Sequence, residues 1–123
     1  MPLSVATRFE ENFAILQLSG TLTLGPSLAA LRQVAQESLK RGQLKGIILH
    51  VAGVTMTDSA GLGELTVVYS YANRNGCPLM LADVPVGMRN ILEITRLDAL
   101  LPAATDIEAA KSALKGRTVR QAG

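Results

Sequence analysis

An apolar run, Gly46-Ile47-Ile48-Leu49-His50-Val51, is followed within the next thirty or so residues by a second one, Leu79-Met80-Leu81-Ala82. Each reads as a buried strand. Between them, Leu62, Leu65, Tyr69 and Ala72 recur at spacings of three, four and three, which is one face of a helix spanning Ala60 to Arg74. Asn75-Gly76 punctuates the return to the second strand. A strand, a helix and a strand in succession form a crossover whose strands run parallel and whose connection is right-handed.

The start of that helix carries Thr57-Asp58-Ser59-Ala60-Gly61-Leu62-Gly63. Asp58 is a favourable N-cap, which makes Ser59 the first helical residue, with its hydroxyl near the surface. The first N–H groups of a helix lack intrahelical partners and carry the positive end of its dipole, so an added anion is favoured there. Read locally, Asp58 and Ser59 need do no more than cap the helix.

The remaining segments alternate in the same way. Ser4 to Arg8 and Phe13 to Ser19 read as strands, and the short turn Glu10-Glu11-Asn12 makes them antiparallel. Pro26 suits the first position of a helix with Leu28, Leu31, Val34 and Ala35 as its buried stripe, Glu37 and Arg41 as an exposed pair, and Gly42 as its stop. Val86 to Thr95 predicts a third helix, and Leu100-Leu101 a short last strand ended by Pro102. Thr105-Asp106-Ile107-Glu108 reads as a capping box opening a final helix with Ile107, Ala110 and Leu114 inward. The expected fold class is α/β, a single domain with a mixed sheet of about five strands covered by about four helices. Its expected bounds are residues 1–115, with 116–123 a basic, flexible C-terminal tail.

The segment from Leu49 to Gly63, with its Asp-Ser-x-Gly-Leu-Gly core, resembles the signature of the STAS domain, found in bacterial anti-sigma factor antagonists and in sulphate-transporter tails. Leu18-Ser19-Gly20-Thr21-Leu22 is similar to that family's second strand and turn, and Pro85 to Leu97 to the helix after its fourth strand. The resemblance runs from about Ser4 to about Lys115. In the antagonist branch it implies that Ser59 is phosphorylated by an anti-sigma factor that is also a serine kinase, and restored by a serine phosphatase. It also implies that the unphosphorylated form binds the anti-sigma factor and frees the sigma factor. Three positions depart from the family pattern. Thr23 and His50 stand where an aspartate is frequent, and Arg96 stands at a left-handed position that suits glycine better.

Other chemistries fit less well. A nucleophile elbow needs Gly-x-Ser-x-Gly, and Thr57 occupies its first glycine position, with His50 the only histidine available as a base. That leaves a small serine hydrolase as a remote alternative. One histidine and one cysteine, Cys77, do not supply the three or four ligands of a zinc site, and Cys77 fits a small turn or strand-edge residue of a reducing compartment. Neither a dinucleotide fingerprint nor a phosphate-binding loop is present, so no cofactor is expected.

Aromatics at 3% leave no platform for stacking bases, and a net charge of +2 gives no basic reading face, so no nucleic-acid partner is expected. Lys111, Lys115, Arg117 and Arg120 form only a weak basic patch near the C-terminus. No membrane span or leader is apparent in the sequence, and a cytoplasmic location is expected. At 123 residues, 48% of them hydrophobic, the chain suits one core.

The sequence thus predicts a phosphorylation-controlled binding module with no catalytic or metal residues, switched at Ser59 with Asp58 in support. Residues on the side of the helix that Ser59 begins, Gly63, Thr66, Val67 and Ser70, join Thr23 and Gly61 as the expected partner-binding set. Self-association is compatible with this reading. The alternatives are a STAS domain in a stress-sensing scaffold or in a lipid or anion transporter complex.

Overall fold

In the computed structural model, which describes residues 1–116, five strands form one sheet in the order β1-β2-β3-β4-β5. They are β1 (Ser4–Glu10), β2 (Phe13–Leu22), β3 (Gly46–Thr57), β4 (Leu79–Ala82) and β5 (Ala103–Ala104). The first pair is antiparallel and the other neighbours are parallel. Four α-helices connect and flank them: α1 (Ala29–Arg41), α2 (Ser59–Arg74), α3 (Val86–Ile94) and α4 (Ile107–Lys115). The expected α/β class, strand number and helix number are all met.

The apolar runs are continuous because both faces of the sheet are covered. Ala14, Leu16 and Leu18 of β2, Ile47, Leu49 and Val51 of β3, and Leu79 and Leu81 of β4 join the larger core with α1, α2 and α3. The alternate residues Phe13, Ile15, Ile48, Met80 and Ala82 meet Ala110 and Leu114 of α4 in a smaller core. A period of two along each strand thus sorts side chains between two helical layers.

Several local expectations change. Glu10 belongs to β1, and the hairpin turn is Glu11-Asn12 alone, with φ of 53° and 68°. Two consecutive left-handed residues match the twist of the flanking strands. Pro26 starts a single 3-10 turn, Pro26–Leu28, that runs into α1. Arg41 does not pair with Glu37; its guanidinium lies 3.7 Å from the centre of the Phe9 ring, where it stacks on an aromatic face. In α2 Val68 is fully buried while Tyr69 is only partly so.

Leu100-Leu101 is not a strand. Leu101 enters the core, and β5 is Ala103–Ala104 because the residue between them, Pro102, offers a carbonyl to Leu81 N–H (2.8 Å) but has no N–H to give the sheet. The capping box is replaced by a simpler cap: Asp106 Oδ1 accepts Ala109 N–H at 2.8 Å, and Glu108 turns instead toward Lys111. Arg96 does adopt the left-handed conformation, with φ 64°, after α3.

Lys111 is not part of a basic surface patch. It is 4% exposed, and its Nζ lies 2.7 Å from Glu10 Oε1 and 3.0 Å from Glu11 Oε1, tying α4 to the β1–β2 turn. Lys115 adds a 3.4 Å contact to Glu11. The tail expected from Gly116 onward, with Arg117 and Arg120, lies outside the described residues apart from Gly116, which ends α4.

β3 is the longest strand. Only Ile47 to His50 pairs with β4, while the rest continues beside β2 to Thr57. Its register against β2 shifts between Gln17 and Ser19 and again between Gly20 and Thr21, each time with one extra residue on β3. Such bulges bend a strand and re-aim its side chains. The bent end of β3 delivers the chain to the start of α2.

Candidate functional site

Asp58 is held in extended geometry, φ −121° and ψ −177°, as the N-cap of α2. Its Oδ1 accepts Gly61 N–H at 2.9 Å and its Oδ2 accepts Leu24 N–H at 3.0 Å. One carboxylate therefore satisfies an orphan donor of the helix and fastens the loop after β2 to it. The Gly61 N–H first and the Leu24 N–H second hold the Asp58 carboxyl below its ordinary value. Asp58 is consequently a fixed anion at neutral pH.

Ser59 follows as the first residue of α2 and is exposed. Along the same helix Gly63 and Ser70 are exposed, Val67 is 39% exposed and Thr66 is partly so. A Cβ at Gly63 would have no neighbour within 4 Å, so its lack of a side chain is not required by packing. Thr66 Oγ1 donates to Gly63 O at 2.7 Å. Beside this face Arg32 of α1 forms a two-pronged pair with Glu64, with Nη2 and Nε at 2.8 and 2.9 Å from its carboxylate. That pair clamps α1 to α2 next to Gly63.

Gly61 belongs to a different category from the expected partner contacts. It is buried, and a Cβ there would overlap the Leu22 carbonyl. Its glycine is explained by the close approach of α2 to the end of β2. Thr23 is half-buried in the loop that Asp58 fastens, at the same end of the sheet.

Three exposed apolar side chains at this end were not singled out in the sequence: Leu24 at 79%, Met56 at 63% and Val86 at 74% exposure. Between the end of β3 and α3 runs a groove of about 240 Å³ lined by Val54, Met56, Thr57, Pro85, Met88 and Ile91, among others. Leu24 was discoverable in principle, as an apolar residue inside the turn Thr23-Leu24-Gly25-Pro26 with no helical or strand period to serve.

His50 lies within β3, with its Nε2 2.8 Å from Asp83 Oδ2; Asp83 itself is left-handed, with φ 57°. The strand continues extended from His50 to Thr57, which at about 3.3 Å per residue puts roughly 20 Å between the imidazole and Ser59. These two residues cannot form a nucleophile and base pair. Cys77 is buried, and burial pushes its thiol up to about 11. Among the described residues no three His, Cys, Asp or Glu side chains are grouped to hold a metal ion. No helix there is long and apolar enough to cross a membrane.

Comparison with known proteins agrees with this architecture. A family model described as "Mlab, STAS domain" matches residues 5–102. An anti-sigma factor antagonist from Mycobacterium paratuberculosis superposes with a TM-score of 0.77 at 17% identity, covering 92% of this chain and 94% of that one. The anti-sigma factor antagonist SpoIIAA in its unphosphorylated form gives 0.74 at 16% identity, with 94% and 99% covered. A sulfate transporter family protein from Wolinella succinogenes gives 0.70 at 17% identity, with 88% of each chain covered. The family match covers nearly all of β1, the strands β2 to β4, the Asp58-Ser59 junction and the three helices of the larger core, and on that basis the chain belongs to the STAS domain family.

Proposed function

We propose that the chain is an anti-sigma factor antagonist working in the cytoplasm, a binding module that holds an anti-sigma factor while Ser59 is unphosphorylated. The anti-sigma factor acts as the serine kinase that modifies Ser59, and a serine phosphatase reverses the change. The observation that carries this reading is the exposed Ser59 beside Asp58, whose two oxygens are both occupied by backbone donors. Phosphorylation would add about −1.5 to −2 charges next to that fixed anion. Enclosing the dianion in an interface without cations carries a penalty of several kcal/mol, and even about 2.8 kcal/mol corresponds to a hundredfold loss of affinity.

The test is a titration of the anti-sigma factor kinase with Ser59→Ala and Ser59→Asp. The alanine variant is expected to bind constitutively and the aspartate variant weakly. Equal affinities reject the switch.

A second reading, a STAS domain within a lipid or anion transporter complex, is favoured by the likeness to the Wolinella sulfate transporter family protein. Affinity capture from native cells with a phosphosite map distinguishes the two. An anti-sigma factor together with phosphate on Ser59 supports the antagonist, whereas a membrane transporter without it supports the second reading.

A further inference from the structure

We propose that the outer edge of β1 pairs with β1 of a second copy of this chain, antiparallel and about a two-fold axis through Thr7, so that two five-stranded sheets become one. The two edges of the sheet are built differently. β5 at one edge has only two residues, whereas β1 at the other has seven. Natural sheets protect a long edge with proline, lysine, a bulge or a covering segment. β1 contains no proline or lysine and keeps an unbroken register against β2 from Ser4 to Glu10. Its two charges, Arg8 and Glu10, neutralise each other across 2.6 Å. Residues 1–3 do not fold back over the strand; Met1 O accepts Thr21 N–H at 3.0 Å and Leu3 N–H donates to Ser27 Oγ at 3.3 Å.

The hairpin decides which backbone groups face outward. With a two-residue loop, Glu10 and Phe13 close the ladder as a hydrogen-bonded pair, and such pairs alternate along antiparallel strands. Ser4, Ala6, Arg8 and Glu10 therefore bond to β2, while Val5, Thr7 and Phe9 turn their N–H and C=O groups to the outside. Among the described residues no backbone group bonds to them there. Thr7 is exposed although it lies on the α1 side of the sheet. Beside it an open groove of about 290 Å³, lined by Thr7, Phe9, Val34, Glu37, Ser38 and Arg41, separates β1 from α1, so the helix does not overhang this edge.

A second copy fits because the strand complements its own reverse. Thr7 is the middle residue of β1, so the register about it is the one that overlaps the strand over its full length. It sets Thr7 against Thr7, Val5 against Phe9, Ala6 against Arg8 and Ser4 against Glu10. Every outward N–H and C=O of Val5, Thr7 and Phe9 then gains a partner. Thr–Thr and aromatic–β-branched pairs are favourable across strands, and no charge lies directly opposite a like charge. The two Arg8 side chains become diagonal neighbours, each already held by its own Glu10. Moving the axis to Arg8 would shorten the overlap and oppose that arginine to itself. Each groove brings one acid and one base, Glu37 and Arg41, and so adds no net charge at the seam. Ser59 is no part of this edge, so the pairing holds whether or not it is phosphorylated.

The experiment is sedimentation equilibrium of the full chain from about 1 μM to about 1 mM, beside Thr7→Lys and Thr7→Glu, each alone and mixed in equal amounts. The wild type is expected to show a monomer–dimer equilibrium. Either variant alone sets like charges face to face on the axis and should weaken dimerisation at least about tenfold, with unchanged far-UV circular dichroism because the side chain is exposed. The mixture should recover the dimer by facing Lys with Glu. Thr7→Pro removes an outward N–H that the β1–β2 ladder does not use, and should also give a monomer. A wild type that stays monomeric at about 1 mM overturns the proposal. So does a dimer undiminished in both charged variants, or a mixture no more associated than its components.

Discussion

The Asp58 carboxylate accepts the backbone N–H of Leu24, 34 residues earlier in the chain, while its other oxygen caps α2. The loop after β2 and the first turn of the helix are therefore set by one side chain. Anything that moves Leu24 moves the surroundings of Ser59, and this is why two segments distant in sequence make one surface.

Asp58→Ala should lower Tm by several degrees at neutral pH, since it removes an N-cap and a loop tether together. Asp58→Asn should recover part of the loss, because its single amide oxygen can serve Gly61 but not Leu24 as well. The folded carboxyl titrates below its ordinary 3.8, so its contribution is present above that value and is lost as pH falls through the folded one. The Tm gap between wild type and Asp58→Ala should accordingly close in acid. A gap unchanged on acidification would show that the ionised carboxylate is not what holds the junction.

Gly61 and Gly63 should respond in opposite directions to alanine. At Gly61 the new methyl meets the Leu22 carbonyl, which is backbone and cannot swing aside, so a loss of roughly 2–4 kcal/mol is expected. At Gly63 the methyl enters open space and gains about 1 kcal/mol of helix propensity. Urea denaturation of the two variants separates a packing glycine from one that packing does not require. If Gly63→Ala also weakens partner binding despite its higher stability, the bare backbone there is part of the contact.

The network at Lys111 predicts a two-sided pH profile. Glu10, then Glu11, hold the Lys111 ammonium well above its ordinary 10.5, and Lys111 in turn is the main cause that lowers both carboxyls below 4.5. The raised ammonium contributes fully below 10.5, and this is lost as pH rises through its folded value. The lowered carboxyls contribute above 4.5, and this is lost as pH falls through theirs. Lys111→Met keeps most of the buried stem, so it should lower the plateau in Tm between these limits and flatten both flanks. A uniform drop at every pH would point to lost packing alone.

The fold was legible because its signals are local. Apolar runs of strand length, a helical period from Leu62 to Ala72, and a cap at Asp58 all agree with the tertiary answer, which is the consistency expected of a foldable sequence. The misreadings occurred where a distant partner decides. Arg41 prefers the Phe9 ring to Glu37, and Lys111 reads as a surface charge until α4 folds across the β1–β2 turn. Gly61 resembles a partner contact until Leu22 arrives beside it. The Asp58 cap and the start of α2 at Ser59 were legible for the same local reason, whereas Leu24, Met56 and Val86 share one end of the molecule only through the bends of β3 and the tether to Leu24.

The extent of the partner surface follows from its size. A standard interface covers about 800 Å² on each side, a disc roughly 16 Å in radius. Val67 lies eight residues along α2 from Ser59, or about 12 Å, and Leu24 touches Asp58 directly. A partner centred on Ser59 must therefore reach both the helix face and the apolar loop rim. Val67→Glu on one side and Leu24→Asp on the other should each weaken binding at least about tenfold, because each puts a charge into a desolvated contact, while circular dichroism stays unchanged. Affinity that survives Val67→Glu and Ser70→Arg but not Leu24→Asp moves the contact onto the loops around Thr23, Ala52 and Met56. Affinity that survives all three removes this end of the molecule from the interface, and the reading of Ser59 as its switch goes with it.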